Sequence, residues 1–192
     1  TLLSCFETWG IDDTLEKISG MFSIALYDTE HDSLYLIRDR MGEKPLYYGW
    51  SDDVFLFSSE LKPLKKFHSF SGEIDRNVLP LFLKYDYVPS PYSIYKGINK
   101  LPQGSYVKIS MVNNSWSKED IQGPNYYWSM NDIVQSGKGA KRFKGSDKDA
   151  AQKLDDLLSK SIKQQMISDV PLGAFLSGGI DSSLVASLMQ KQ

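Results

Sequence analysis

The sequence predicts an α+β fold for most of the chain and one β-α unit near its C-terminal end. Short apolar runs follow one another closely between Gly20 and Ser58, and a helical pattern comes after them, as in a mostly antiparallel sheet domain. The stretch Val170–Leu188 reads as a strand, a glycine turn and a helix. Apolar residues make up 41% of the chain and aromatic residues 12%, enough to fill a sizeable core. A length of 192 residues accommodates one large or two small domains.

Leu2, Leu3, Phe6 and Trp9 follow helical spacing, with Gly10 placed to end the helix. A chain that starts inside an amphipathic helix is expected to be a piece of a longer one. Thr1 carries little weight as an amino-terminal nucleophile, because nothing nearby supplies a partner for it. Asp12 or Asp13 caps a second short helix carrying Leu15 and Ile18, closed by Ser19-Gly20. Gly20–Asp28 is a nearly continuous apolar run, expected as a strand buried on both faces. Thr29–Asp32 turns the chain into a strand at Leu34–Ile37, and Leu46–Trp50 and Val54–Ser58 form two more across Ser51-Asp52-Asp53. Ser58 or Ser59 is placed to cap a helix with Leu61, Leu64 and Phe67 inward.

Asp75 caps a helix with Leu79, Phe82 and Leu83 apolar. Tyr87–Gly104, with Pro89, Pro91 and Pro102, is expected as a rigid irregular connection. Gly104–Met111 alternates as a strand, Asn113-Asn114 reads as a turn, and Tyr126-Tyr127-Trp128 closes the domain. Between Ser129 and Gly145 the composition shifts to Gly, Ser, Lys and Asn, the pattern of a linker. This divides the chain into residues 1–128, a linker at 129–145 and a second domain from 146 to 192. Ser146 with Asp149 three residues on forms a capping box for a long helix. Its stripe of Leu154, Leu157, Leu158 and Ile162 is expected to be core.

The chemistry-bearing stretch is Ser177 to Ser183, S-G-G-I-D-S-S. An apolar strand at Leu172–Leu176 would deliver the chain to the turn, and Ile180, Leu184, Val185 and Leu188 then follow helical spacing. The free N–H groups and positive dipole end of such a helix suit an anion. Two glycines permit close approach, and Ser177, Ser182 and Ser183 add hydroxyl donors. A carboxylate at Asp181 fits a phosphate site mainly by holding a cation such as Mg²⁺. The plainer reading is a structural Gly-Gly turn with Asp181 favouring the first helical turn, which leaves the three hydroxyls unexplained. The Lys-Ser/Thr pair of a Walker loop is absent. The motif resembles the pyrophosphate-binding loop of the ATP pyrophosphatase superfamily, whose members adenylate a substrate and release pyrophosphate.

The order of motifs extends the resemblance. G-M-F-S-I-A-L-Y-D, R-D-R-M-G-E-K-P-L-Y-Y, F-S-S-E-L-K-P-L, K-L-P-Q-G-S-Y and D-V-P-L-G-A-F-L-S-G-G-I-D-S-S together resemble the glutamine-hydrolysing asparagine synthetases, over essentially the whole chain. The resemblance implies the C-terminal part of a glutaminase (Ntn-hydrolase-like) antiparallel sandwich, followed by the first β-α unit of an α/β ATP-pyrophosphatase domain. It implies ammonia freed from glutamine and aspartate activated as β-aspartyl-AMP, with ATP and Mg²⁺ required. Leu176 would line the adenine nucleotide, and Ser177, Gly178, Gly179, Asp181, Ser182 and Ser183 would take the phosphates, with Asp181 near Mg²⁺. The family's catalytic cysteine and glutamine-binding residues match no position here, so no catalytic residue is assigned. The chain alone is expected to hydrolyse no glutamine. Cys5 is a core or surface thiol, and Arg38, Asp39 and Glu60 are expected in ion-paired structural roles. Beta-lactam synthetases and other amidotransferases share the architecture, and a non-catalytic scaffold remnant is the reading from another class.

Composition excludes some classes. A net charge of −2 argues against a nucleic-acid partner, one cysteine excludes an internal disulfide framework, and two isolated histidines do not suggest a metal cluster. With no signal peptide or long apolar span, the cytoplasm is expected, with no membrane partner; the resemblance implies small-molecule partners, namely aspartate, glutamine and ATP. A homo-oligomer is left open.

Overall fold

Helix α1 (Leu2–Lys17) carries Phe6 and Leu15 to the interior, and its regular dihedrals break once, at Gly10 (φ 76°, ψ −174°). The glycine expected to separate two helices is where the α1 axis kinks, because φ in this region is costly for any residue with a Cβ. The computed structural model describes residues 1–111, 115–138 and 143–192; the expected Asn113-Asn114 turn and residues 139–142 lie outside them. The chain forms two compact units, Thr1–Gln135 and Ser136–Gln192.

Unit 1 is built on antiparallel pairing. Strands β1 (Ser23–Asp28) and β2 (Ser33–Arg38) are joined by the expected turn. Strands β3 (Tyr47–Ser51) and β4 (Val54–Ser58) form a second hairpin across Asp52-Asp53. Helix α2 (Leu61–Leu64) is one turn long. Its N-cap is Glu60, not Ser58 or Ser59, and Ser58 Oγ instead accepts from the Glu60 N–H at 3.3 Å. The carboxylate of Asp75 accepts from the Asn77 N–H at 3.0 Å, starting a 3₁₀ turn that leads into α3 (Leu79–Tyr85). Strands β5 (Ile98–Lys100), β6 (Ser105–Ser110) and β7 (Ile121–Tyr126) complete two sheets, ordered β1-β2-β6-β7 and β4-β3-β5.

Side-chain alternation along β2 shows how the layers are held. Leu36 and partly buried Leu34 pack with Leu46 and Tyr48 of the second hairpin segment, Leu101 and Val107. Ile37 and Tyr35, on the opposite face, pack with Phe6 and Leu15 of α1. A period of two thus splits one strand between two cores. The prediction that Gly20–Asp28 is buried on both faces is not met. Ile24 and Leu26 face the α1 cluster, while Ala25 and Tyr27 on the other side are exposed, because β1 is an edge strand covered on one face.

Helix α4 (Met130–Lys138) spans the boundary at Gln135/Ser136 and lies in the first part of the expected linker. Helix α5 (Asp147–Gln165) starts at the predicted capping box. Ser146 Oγ accepts from the Asp149 N–H at 3.3 Å, and the Asp149 carboxylate accepts from the Ser146 N–H at 2.9 Å. Helix α6 (Ile180–Gln190) packs on α5 and buries Leu188. The α5 stripe differs from expectation. Leu158 and Ile162 are half-buried, but Leu154 and Leu157 are each 55% exposed, so α5 meets one neighbour and not a closed core. Among the described residues no helix is long and apolar enough to cross a membrane.

Candidate functional site

The approach to the glycine loop contradicts one expectation. Leu172–Leu176 forms no strand, since its N–H and C=O groups meet no neighbouring strand among the described residues. Its side chains stand in the open, with Leu176 65% exposed and Phe175 fully exposed.

Beyond it the loop is built by short-range rules. Gly178 adopts φ 79°, a left-handed conformation that reverses the chain without steric cost for glycine alone. Gly179 is the N-cap of α6, and its carbonyl accepts the Ser183 N–H at 3.1 Å, the first bond of the helix. The N–H groups of the first turn therefore point out of the N-terminal end with no helical partner. Ser177 Oγ lies 2.9 Å from Ser182 Oγ, and Ser182 Oγ donates to the Gly179 carbonyl at 3.1 Å. Sequence-distant atoms of the motif are in this way gathered at one helix end.

Asp181 sits in the first turn of α6, exposed, where the helix dipole favours its negative charge. Among the described residues its carboxylate has no ion-pair partner, and no group of three or more His, Cys, Asp or Glu is gathered for a metal. One free carboxylate at a helix start fits Mg²⁺, which takes one or two carboxylates and completes its shell with phosphate oxygens and water. It does not fit a metal held by protein ligands alone. Leu176, Ser177, Gly178, Gly179, Asp181, Ser182 and Ser183 thus occupy one continuous loop and helix start, with Leu176 at its entry.

Among the described residues, the charged motif residues of unit 1 expected to be ion-paired, Arg38, Asp39 and Glu60, form no salt bridge. Arg38 is 6% exposed and, among the described residues, donates to three backbone carbonyls: Nε to Lys44 (2.9 Å), Nη1 to Leu101 (2.7 Å) and Nη2 to Gly42 (2.6 Å). Burial holds its guanidinium pKa below the usual value, with the adjacent Asp39 pulling the other way. Asp39 is 1% exposed and accepts four backbone N–H groups, from Phe22 (3.3 Å), Met41 (3.1 Å), Glu43 (2.9 Å) and Lys44 (2.9 Å). Each charge is stabilised by peptide dipoles, which a sequence pattern of alternating signs does not reveal. Glu60 is exposed and serves as the α2 N-cap.

Two features of unit 1 escaped the sequence reading. Tyr127 donates its hydroxyl to the Arg38 carbonyl at 2.7 Å, and burial pushes its pKa up to about 12. Cavities also open on the surface among the described residues, two of them as follows. One of about 640 Å³ is lined by Ser90, Pro91, Pro102, Gln103, Tyr126 and Trp128 among others. The other, about 730 Å³, is lined by residues that include Phe6, Leu26, Tyr27, Asp28 and His31. Neither contains a loop residue. The cluster of aromatics and prolines in Tyr87–Gly104 was the available signal for the first.

Residues 1–123 match the family described as Glutamine amidotransferase domain, and residues 153–192 match the family described as Asparagine synthase. The chain is 33% identical to the putative asparagine synthetase [glutamine-hydrolyzing] 2 of Methanocaldococcus jannaschii, over 99% of this chain and 34% of that protein. It is 30% identical to asparagine synthetase [glutamine-hydrolyzing] 1 of Bacillus subtilis, over 94% of this chain and 26% of that protein. Asparagine synthetase B [glutamine-hydrolyzing] of Escherichia coli is 31% identical, over 99% and 26% respectively. The chain spans about a third or less of the length of these relatives. With residues 1–123 matched, the chain belongs to the family described as Glutamine amidotransferase domain, and its residues 153–192 are similar to the family described as Asparagine synthase.

Proposed function

We propose that this chain is part of an ATP-dependent, glutamine-hydrolysing asparagine synthetase of the cytoplasm. Residues 1–128 belong to its glutaminase domain, an Ntn-hydrolase-like sandwich, residues 129–145 to the linker, and residues 146–192 to the start of its ATP-pyrophosphatase-type domain. The observation that carries the reading is the S-G-G-I-D-S-S loop folded at the N-terminus of α6, inside the stretch matching the synthase family. In this reading a carboxylate oxygen of aspartate attacks the α-phosphorus of ATP and the bond to pyrophosphate breaks. Ammonia from glutamine then displaces AMP from β-aspartyl-AMP to give asparagine.

The loop binds and orients the phosphates. Ser177, Gly178, Gly179, Asp181, Ser182 and Ser183 form the cradle, first-turn N–H groups meet the oxygens, and Leu176 lies against the adenine. Asp181 would hold Mg²⁺, which would supply positive charge against the leaving pyrophosphate.

The test is Asp181→Asn in the full-length protein, measuring pyrophosphate release with aspartate, ATP and ammonia supplied directly. Loss of a charge stabiliser is expected to slow release by ~10²–10³ with an unchanged melting temperature. Near-normal release would return Asp181 to a helix-start role, since Asn is also a good residue there. Pyrophosphate release that does not depend on aspartate would overturn the assignment of substrate.

A further inference from the structure

From the cavity of about 640 Å³ in unit 1 we infer a second binding site, independent of the phosphate loop: a groove that takes an extended, proline-rich protein segment carrying one basic residue. Its described lining residues all belong to unit 1 and come from four stretches, around Ser90, Pro102, Pro124 and Asp132. The walls are rings. Pro91, Pro102 and Pro124 contribute prolyl rings, and Tyr126 and Trp128 aromatic ones, with Tyr126 60% exposed and open to a ligand. Backbone bonds fix each wall. The Lys100 N–H donates to the Pro91 carbonyl at 2.9 Å, and the Ser105 hydroxyl to the Pro102 carbonyl at 2.7 Å. The N–H groups of Tyr127 and Trp128 both donate to the Gly104 carbonyl, at 3.0 and 3.2 Å. A Cβ on Gly104 would lie 2.4 Å from the Trp128 carbonyl oxygen, so only glycine permits this approach. The site is formed before a ligand arrives, which spares the ordering cost of binding.

The chemistry of the ligand follows from what these walls offer. Aromatic-lined grooves recognise proline-rich segments, whose rings lie flat against them. A polyproline II segment makes no internal hydrogen bonds, so its carbonyls need donors. The cavity supplies them: Trp128 carries an indole N–H, Tyr126 a hydroxyl, and Gln103 and Asn131 amides. None of these four side chains is hydrogen-bonded among the described residues. A helix, with its carbonyls already paired, would leave them unused. Charge narrows the choice further. Asp132 alone is charged among the described residues lining the cavity, and its carboxylate has no ion-pair partner among them. An acidic segment is repelled there, whereas one Lys or Arg matches the carboxylate. A volume of about 640 Å³ falls within the ~300–1,000 Å³ of ligand clefts, the scale of a short segment and not of a domain face.

The experiment follows the fluorescence anisotropy of a short labelled peptide, built on Pro-x-x-Pro repeats with a single arginine, as full-length protein is added. Saturable binding is expected, weakened at least about 10-fold when alanine replaces the prolines. Trp128→Ala is expected to cost at least about 10-fold, as for an aromatic anchor of an interface. If that variant has a lowered melting temperature, Tyr126→Ala, at the more exposed ring, is read in its place with the same expected outcome. Asp132→Asn is expected to weaken binding about 2- to 5-fold and to remove its salt dependence, the mark of one exposed ion pair. A peptide with glutamine in place of the arginine should then bind wild type and Asp132→Asn equally. No binding tighter than about 1 mM would overturn the inference. Equal affinity for the alanine peptide would overturn it too, as would displacement by free arginine amide at the peptide's own concentration, which marks a small-molecule cation site. Wild-type affinity in both ring variants would place the peptide elsewhere and reject the groove. Pyrophosphate release from ATP is expected to be unchanged in Tyr126→Ala, so this inference and the phosphate-loop reading fail separately.

Discussion

Asp39 shows how much of unit 1 hangs on single polar groups. Its carboxylate gathers N–H groups from β1's approach at Phe22 and from the loop at Met41, Glu43 and Lys44, while its own carbonyl accepts from Gly42 and Gly104. Asp39→Asn replaces one acceptor oxygen by an NH₂ that faces donors, and leaves buried N–H groups unpaired. We expect a loss of about 2–4 kcal/mol, read as a lower urea midpoint at unchanged slope. A change below about 1 kcal/mol would show that water replaces the carboxylate. The tyrosines give a pH test at the same scale. Burial raises the pKa of both Tyr106 and Tyr127 to about 12, and Tyr106 additionally donates to Asp12. Their unfolded value is ~10, so the fold favours the neutral phenols. That stabilisation is complete below ~10 and is lost as pH rises toward about 12. Tyr127→Phe should therefore flatten the fall in stability over that window and remove one late step from the tyrosinate absorbance titration. An unaltered titration near pH 12 in the variant would reject the assignment. None of this was readable from residue type, because Arg38, Asp39 and Tyr127 find backbone partners up to 89 positions away. The S-G-G-I-D-S-S loop was legible for the opposite reason, since its hydrogen bonds span five residues or fewer.

At the scale of elements, the start of α5 is the clearest case of local chemistry deciding structure. Ser146 and Asp149 satisfy each other's backbone N–H groups, and the Ser146 hydroxyl, donating to the Asp149 carboxylate at 2.7 Å, together with the Ser146 N–H holds that carboxyl below the usual carboxylate range. Ser146→Ala removes the side-chain acceptor, and amides of the first turn of α5 should exchange with solvent roughly 2- to 30-fold faster, while Ser146→Asp retains the cap. Because the Asp149 pKa is depressed on folding, its contribution is present above the unfolded value of ~4 and lost as pH falls through the folded one. Exchange in this turn should therefore accelerate on acidification in the native chain, and equal acid sensitivity in Asp149→Ala would reject the linkage. Hairpins β1-β2 and β3-β4 were legible too, from apolar runs bracketing polar turns. Strands β5 and β7 were not. The Pro-rich context hid the three residues of β5, and Gly123-Pro124 interrupts β7, which tolerates it as an edge strand beside a register shift at Tyr106/Lys108. Helix α4 was hidden by Gly, Ser and Lys around Met130, Ile133 and Val134, whose spacing is helical.

Across the whole molecule, burial is divided unequally. Unit 1 closes two cores in which Leu15, Leu36, Ile37, Leu101, Val107 and Ile109 are fully buried. Among the described residues of unit 2 the buried hydrophobic residue is Leu188, while Phe175, Leu176, Ile180 and Ile167 stand in solvent. A strand pattern at Leu172–Leu176 was correct in its hydrophobicity and wrong in its outcome for the same reason: a parallel strand is made by its neighbours, and pattern alone cannot supply them. Local opening free energy follows the apolar surface an element buries, so the two units should differ widely in protection. We expect the amides of β2 and β6 in this 192-residue chain to exchange only through global unfolding, with rates that track the urea-dependent stability. Amides of α5 and α6 should exchange at least about 100-fold faster and with little urea dependence, as expected for a helix pair held mainly by its own hydrogen bonds. The measurement is hydrogen exchange read by mass spectrometry on peptides from each element, with urea raised in steps below the unfolding midpoint. Equal protection in α6 and β6 would mean that unit 2 gains as much from burial as unit 1. The exposed row from Val170 to Leu176 would then need another account.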